Sequence, residues 1–160
     1  MQNFAIQVLK EQELDILIEL IKEFALHEIM QDKIKCNKEN LYHSIFKTKV
    51  AKAFLLKENN KTIGYMIYFY TFSSFLGANG IYLEDIYLKK EYRNKGYGKQ
   101  VFKFLADICQ KENLQRLEWL CLNDNKEGIK FYENLSSIHL NQWRIYRLNK
   151  DQLNKLSNND

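Results

Sequence analysis

One stretch constrains the fold more than any other. Ile81-Tyr82-Leu83-Glu84-Asp85-Ile86-Tyr87-Leu88 is apolar at both odd and even positions, broken only by two adjacent carboxylates. A strand with one wet face alternates, whereas a strand apolar in both parities needs cover on both faces. Such a strand belongs in a sheet packed between helices, and the flanking sequence supplies both. Residues 4–9 alternate as a short strand. Leu14, Leu17, Ile18, Ile21 and Ala25 fall on one helical stripe, and Leu41 and Ile45, with Tyr42 and Phe46, mark a second, shorter helix. Residues 51–57 and 63–72 read as strands joined by the turn Glu58-Asn59-Asn60-Lys61. From Gly98 onward a helix sets Val101, Leu105 and Ile108 on one face. Residues 116–122 read as a strand, 125–135 as a helix of mixed polarity, 143–148 as a last strand, and 149–160 as a frayed polar tail. No repeat or linker divides the chain, so residues 1–150 are expected to form one domain, with 151–160 as a polar tail. Hairpins followed by strand–helix–strand–helix–strand predict an α/β fold, a mixed sheet flanked by helices.

Composition narrows the classes. With 46% hydrophobic residues, 10 Tyr and 10 Phe, the chain is too rich in core formers to be disordered. Three cysteines, Cys36, Cys109 and Cys121, are odd in number and show no C-x-x-C spacing, which argues against a disulfide framework or a zinc site. No metal site is expected. Met1-Gln2-Asn3-Phe4 lacks a signal-like basic start, and no stretch reaches transmembrane length, so a cytoplasmic protein with no membrane partner is expected. The net charge of +4 is mild, but Lys89, Lys90, Arg93, Lys95, Lys99 and Lys103 crowd one segment. That crowding points to an anionic partner, either nucleic acid or a phosphorylated cofactor.

The turn Arg93-Asn94-Lys95-Gly96-Tyr97-Gly98 lies between the 81–88 strand and an amphipathic helix. Glycines let the backbone approach a ligand, and the first N–H groups of a helix are unpaired; with the helix dipole they make an anion site. Arg93, Lys95 and Lys99 reinforce it. A Walker A loop requires Gly-Lys-Ser/Thr, but Gly98-Lys99 is followed by Gln100. A dinucleotide fingerprint requires a third glycine where Val101 stands. What remains, Arg-x-x-Gly-x-Gly between strand and helix, resembles the pyrophosphate loop of the GNAT superfamily of N-acetyltransferases. The resemblance covers residues 4–148. Within the superfamily, Tyr82-Leu83-Glu84-Asp85-Ile86-Tyr87-Leu88, Glu91-Tyr92-Arg93, Leu117-Glu118-Trp119, Asn125, Phe131-Tyr132 and Trp143-Arg144 are similar, as a set, to the diamine (spermidine/spermine) and thialysine N-acetyltransferase group.

The resemblance implies the GNAT-type acyl-CoA N-acyltransferase fold, with a central mixed, mostly antiparallel sheet. It implies acetyl-CoA as cosubstrate, a small amine as acceptor, a homodimer and no nucleic-acid partner. The pyrophosphate would lie on Arg93, Asn94, Lys95, Gly96, Tyr97, Gly98 and Lys99. A strand distortion at Ile86, Tyr87 and Leu88 would supply a backbone N–H for the carbonyl oxygen and pair with the pantetheine arm. Asn125, Lys126, Gly128 and Tyr132 would complete the cofactor site; Asn125 reads as an N-cap, a cofactor contact or both.

Acceptor chemistry rests on the carboxylates. Burying Glu84 and Asp85 in a strand covered on both faces suits a polar pocket cut into the sheet better than a solvated edge. An aliphatic amine with a pKa of about 10.4 is protonated at neutral pH and must lose a proton before attacking a thioester. The resemblance implies Glu84 as the base, acting directly or through water, with Asp85 and Glu28 holding substrate charge away from the reacting nitrogen. Glu28, beside His27, is read either as amine-site wall or as a solvated helix end. Glu118, Trp119 and Leu120 could line the substrate channel, although Trp119 and Trp143 suit packing better, and Phe75 could wall the amine site. The same resemblance makes Tyr132 the acid that protonates the leaving thiolate; Phe131 would then be the core residue of its helix. Two competing readings are an enzyme acting on protein or antibiotic amines and a non-catalytic acetyl-CoA sensor.

Overall fold

Phe4–Val8 (β1) begins a sheet that continues with Lys52–Glu58 (β2), Lys61–Ser73 (β3), Ala78–Leu88 (β4) and Leu117–Trp119 (β5), lying side by side in chain order. The structure, a computed structural model, describes residues 3–158. The first three pairings are antiparallel and β4–β5 is parallel, giving the mixed, mostly antiparallel sheet expected of the GNAT-type fold. Leu14–His27 (α1) and Lys38–Tyr42 (α2), which runs on into a π-helical turn at His43–Lys47, link β1 to β2. Tyr97–Lys111 (α3) makes the crossover that a parallel β4–β5 pair requires. The chain divides into two compact units between Leu120 and Cys121. The sheet and α1 to α3 belong to the first; Lys126–Glu133 (α4) and Lys150–Ser157 (α5) belong to the second.

Pleating sorts the first unit's side chains into two layers. Ala53, Leu55, Tyr65, Ile67 and Tyr87 form one buried cluster with Leu14, Leu17 and Leu20 of α1, and Leu41 and Ile45 pack against it. Each fully buried leucine contributes about 1.5–3 kcal/mol to holding α1 against the sheet. Alternate residues point the other way: Phe54 stacks on Tyr68 at 5.8 Å and meets the edge of Phe104 on α3 at 5.4 Å. Val101 and Leu105 of α3 are fully buried.

The two-faced pattern of β4 has a specific cause. Ile67 pairs with Asp85, but Tyr68 pairs with Leu83, so Glu84 is an extra residue without an opposite number on β3. This bulge switches the parity of the strand. Leu83 lies on the side of Tyr68, whereas Asp85 and Tyr87 lie on the side of Ile67 and Tyr65. The distortion expected at residues 86–88 therefore sits at Glu84; Ile86, Tyr87 and Leu88 pair regularly with Met66, Tyr65 and Gly64.

Other expectations also shift. β5 is shorter than the expected 116–122, and the 125–135 helix contracts to α4. Residues 143–148 form no strand: they have no ladder partner among the described residues, and Trp143, Ile145, Tyr146 and Leu148 are exposed. Alternation without a partner does not make a strand. The tail, expected to be frayed, instead holds α5, started by a reciprocal cap in which Asn149 Oδ1 accepts from the Gln152 N–H (3.1 Å) and Gln152 Oε1 from the Asn149 N–H (2.8 Å). Asn159 and Asp160 lie outside the described residues. No helix among the described residues is long and apolar enough to cross a membrane.

Gly64 lets β3 approach β4 closely: a Cβ there would lie 2.1 Å from the Tyr87 carbonyl oxygen. Gly64→Ala is expected to cost about 1–3 kcal/mol as the strands are forced apart. A urea melt would show this as a lower midpoint; a midpoint equal to wild type would contradict the close approach.

Candidate functional site

The bulge separates the fates of the two carboxylates. Glu84 is exposed, while Asp85 is half-buried and its Oδ2 accepts a hydrogen bond from the Tyr65 hydroxyl at 3.2 Å. Around that pair stand three rings: Phe24 of α1 meets Tyr65 at 6.4 Å and Tyr87 at 5.6 Å, and Tyr65 meets Tyr87 at 6.1 Å. Burial in this aromatic recess pushes the Asp85 carboxyl up to about 6; Glu84 repulsion adds to the rise and the Tyr65 hydrogen bond opposes it. Burial, reinforced by Asp85, drives the Tyr65 hydroxyl far above its ordinary range, so it serves as a fixed donor. A carboxyl titrating near 6 is still mostly ionised at neutral pH and can hold a cation in the recess.

The β5 ladder reaches only Leu83, opposite Trp119. Beyond the bulge, residues 85–88 pair with β3 on one side, and among the described residues no strand of the first unit pairs with the other. That edge offers backbone N–H and C=O groups to an extended ligand.

The 93–98 turn follows directly. Asn94 (φ 61°) and Gly96 (φ 80°) are both left-handed, and Gly96 caps α3 without a side-chain hydrogen bond. The first N–H groups of α3 therefore face outward. Apart from its chain neighbours, a Cβ on Gly96 would meet no atom of the described residues within 4 Å, so they leave the space before the helix open. Backbone and open space together fit a phosphate. The basic side chains are turned elsewhere. Arg93 Nε donates to the Leu88 carbonyl (2.9 Å), its guanidinium lies over the Tyr87 ring (5.9 Å), and another of its nitrogens lies 3.0 Å from His27 Nε2. Lys95 pairs with Glu58 at 3.3 Å and lies over the Tyr92 ring. Tyr97 stacks on Phe4 at 4.5 Å and donates its hydroxyl to Glu58. These three side chains anchor the turn, while Lys99 is exposed beside it.

The end of α1 joins the same region. Glu28 caps the helix with its side chain only 12% exposed, which disfavours the solvated-end reading, and it lies 4.0 Å from His27. On β5, Glu118 pairs with Arg116 at 2.8 Å, Trp119 packs edge-on to Phe102 at 5.0 Å, and Leu120 is exposed. Phe75 is 95% exposed on the β3–β4 hairpin. The first unit thus gathers Glu84, Asp85, residues 86–88, the turn, His27 and Glu28. Asn125, Lys126, Gly128 and Tyr132 belong to the second. There Asn125 Oδ1 accepts from the Gly128 N–H at 2.9 Å, the expected N-cap; Lys126 is exposed and Tyr132 lies 5.3 Å from Phe131, ring to ring. Sequence reasoning missed Tyr65, Phe24 and Glu23, which accepts from Tyr87 (3.4 Å) and Lys89 (3.0 Å). A tyrosine in an apolar core strand needs a partner for its hydroxyl, and that was the available signal for Tyr65.

Residues 15–136 match the family model described as the acetyltransferase (GNAT) family. A thialysine N-epsilon-acetyltransferase from Caenorhabditis elegans is 26% identical over 160 residues, covering 98% of this chain and 99% of that protein. An L-ornithine N5-acetyltransferase from Arabidopsis thaliana is 36% identical over 90 residues, which make up 56% of this chain and 40% of the plant protein. Among solved structures, an integron cassette protein from the mobile metagenome of V. cholerae superposes with a TM-score of 0.77 at 25% identity, covering 97% of this chain and 98% of its own.

Folding raises the proton affinity of Asp85 above its ordinary value of 3.8, so the native state binds a proton that the unfolded chain releases. Native stability should therefore fall as pH rises from about 4 through 6, then level off. Asp85→Asn removes this dependence. Near pH 7.5 the variant is expected to exceed wild type by up to about 3 kcal/mol, the gap closing near pH 4. Parallel wild-type and variant denaturation curves at every pH would show that Asp85 is not held in a desolvated site.

Proposed function

The chain belongs to the acetyltransferase (GNAT) family and is an acetyl-transferring enzyme, and from that premise we propose that it moves the acetyl group of acetyl-CoA directly to a primary amine of a small cationic substrate: a polyamine, a diamine or a lysine analogue such as thialysine. The observation that carries this reading is the bulge at Glu84. It sets a desolvated, acid-lined aromatic recess next to a helix N-terminus built for an anion. Cationic acceptor and phosphorylated donor thus find complementary charge, the one on β4 and the other at the turn that follows it. The relatives' names point the same way, since the plant protein acts on N5 of ornithine and the nematode protein on the ε-nitrogen of thialysine.

Coenzyme A supplies an activated acyl group as a thioester; this chain's residues bind, orient and move protons. The N–H groups opening α3 hold the pyrophosphate, with Lys99 beside them, and the free edge of residues 86–88 receives the pantetheine arm. Asp85 and Glu28 hold the substrate's positive charge, while the rings of Phe24, Tyr65 and Tyr87 exclude water. Glu84, which solvent reaches, collects the ammonium proton directly or through water. The freed nitrogen then forms the new C–N bond as the C–S bond breaks. The departing thiolate takes a proton from Tyr132, a transfer between groups of pKa about 8.5 and about 10. The same reading carries the expectation of a cytoplasmic homodimer.

The decisive assay is acetyl-CoA consumption with spermidine, putrescine, thialysine, ornithine, lysine, peptides and aminoglycosides. Turnover is expected with small cationic amines; turnover confined to peptides or aminoglycosides would overturn the acceptor class. Binding of acetyl-CoA without any turnover would favour a sensor. Tyr132→Phe is expected to lower kcat about 10²- to 10⁴-fold with acetyl-CoA affinity retained; full turnover would remove it as the acid. Gly96→Val strains a left-handed position by about 1–2 kcal/mol and fills the open space before α3, so calorimetric acetyl-CoA affinity should drop at least tenfold. Normal affinity would refute phosphate binding at this turn.

A further inference from the structure

We propose that the Arg93 side chain is a positioning residue that braces the acceptor end of the site against the phosphate-binding turn, and is not itself a phosphate ligand. The proposal deepens the acetyl-transfer reading and rests on it. Three contacts hold the guanidinium in place: Nε to the Leu88 carbonyl at 2.9 Å, a terminal nitrogen to His27 Nε2 at 3.0 Å, and its face over Tyr87 at 5.9 Å. Guanidinium only donates, so in this contact His27 Nε2 is the accepting atom. One side chain therefore ties together the last residue of β4, the start of the turn and the last residue of α1.

What it holds in place is the acceptor wall. Glu28 follows His27 immediately and closes α1, and Phe24, one turn earlier, lines the recess around Asp85. After Glu28 the chain has only a three-residue 3₁₀ turn, Gln31–Lys33, before α2, and Ile29 is left-handed at φ 55°. The backbone closes the helix end on itself, with the Glu28 N–H on the Phe24 carbonyl (3.0 Å) and the Met30 N–H on the Ala25 carbonyl (2.8 Å). The Arg93 contact therefore fixes where that end lies against β4, and a cation beside a helix C-terminus is also electrostatically favoured. Anion binding at the turn is left to the backbone and Lys99, since Lys95 and Tyr97 are likewise committed, both to Glu58.

Arg93→Ala is expected to raise the amine KM about tenfold, leave the acetyl-CoA Kd within about twofold, and speed amide hydrogen exchange at residues 24–29. Arg93→Lys keeps the charge but not the fork-shaped donor set, and should behave like Arg93→Ala. His27→Ala should reproduce the same amine KM and exchange changes, with little further effect in the double variant. A tenfold loss of acetyl-CoA affinity in Arg93→Ala with exchange at 24–29 unchanged, or recovery of wild-type constants by Arg93→Lys, would make Arg93 a phosphate ligand and overturn the brace. If the wild type acetylates no amine at all, the acceptor reading fails, while the exchange and acetyl-CoA titrations still decide the role of Arg93.

Discussion

One surplus residue in one strand sets the conditions for everything around it. Without the bulge at Glu84, strict alternation would put Asp85 on the same face as Leu83, in the layer facing α3. With it, Asp85 turns toward α1, where Tyr65 meets its carboxylate, while Leu83 and Ile81 remain buried. A bulge disturbs the ladder locally and leaves a residue unpaired. Here that cost is confined to a residue whose side chain is already in water, and the gain is a carboxyl placed inside an apolar recess.

Neighbouring elements are arranged so that this placement holds. The β3 strand presents Tyr65 opposite Tyr87, α1 brings Phe24 across both rings, and Gly64 permits the close strand approach just beyond. Desolvation and Glu84 repulsion raise the proton affinity of Asp85, and Tyr65 limits the rise. The balance leaves a group that spends part of its time neutral near physiological pH, a state that a surface carboxylate does not reach.

Much of this was legible in the sequence because it is written in local pattern. The order of strands and helices follows from periodicity, and the 93–98 turn is marked by glycines in a fixed relation to a strand and an amphipathic helix. What escaped depends on partners distant in the chain. Register decides that the distortion falls at Glu84 and not at residues 86–88, and no local signal reports register across a hairpin. The Tyr65–Asp85 hydrogen bond spans 20 residues and the Arg93–His27 contact 66, so both appear only once strands and helices are assembled. Residues 143–148 failed in the opposite sense: their alternation resembles a strand, but pairing, not pattern, makes one. α5 was hidden by its polarity, although Asn149 and Gln152 carried a helix-start signature.

Because the β5 ladder stops at Leu83, the sheet of the first unit is unfinished for the rest of β4. An incomplete sheet is normally a hazard, since its exposed polar edge invites other strands. Any extended molecule that lies along residues 84–88 completes the hydrogen-bonding of the fold as it binds. Ligand occupancy and folding free energy then become coupled quantities, and native stability rises with the logarithm of ligand concentration once the site begins to fill. The protein's resistance to unfolding would in this way report the supply of its own donor substrate.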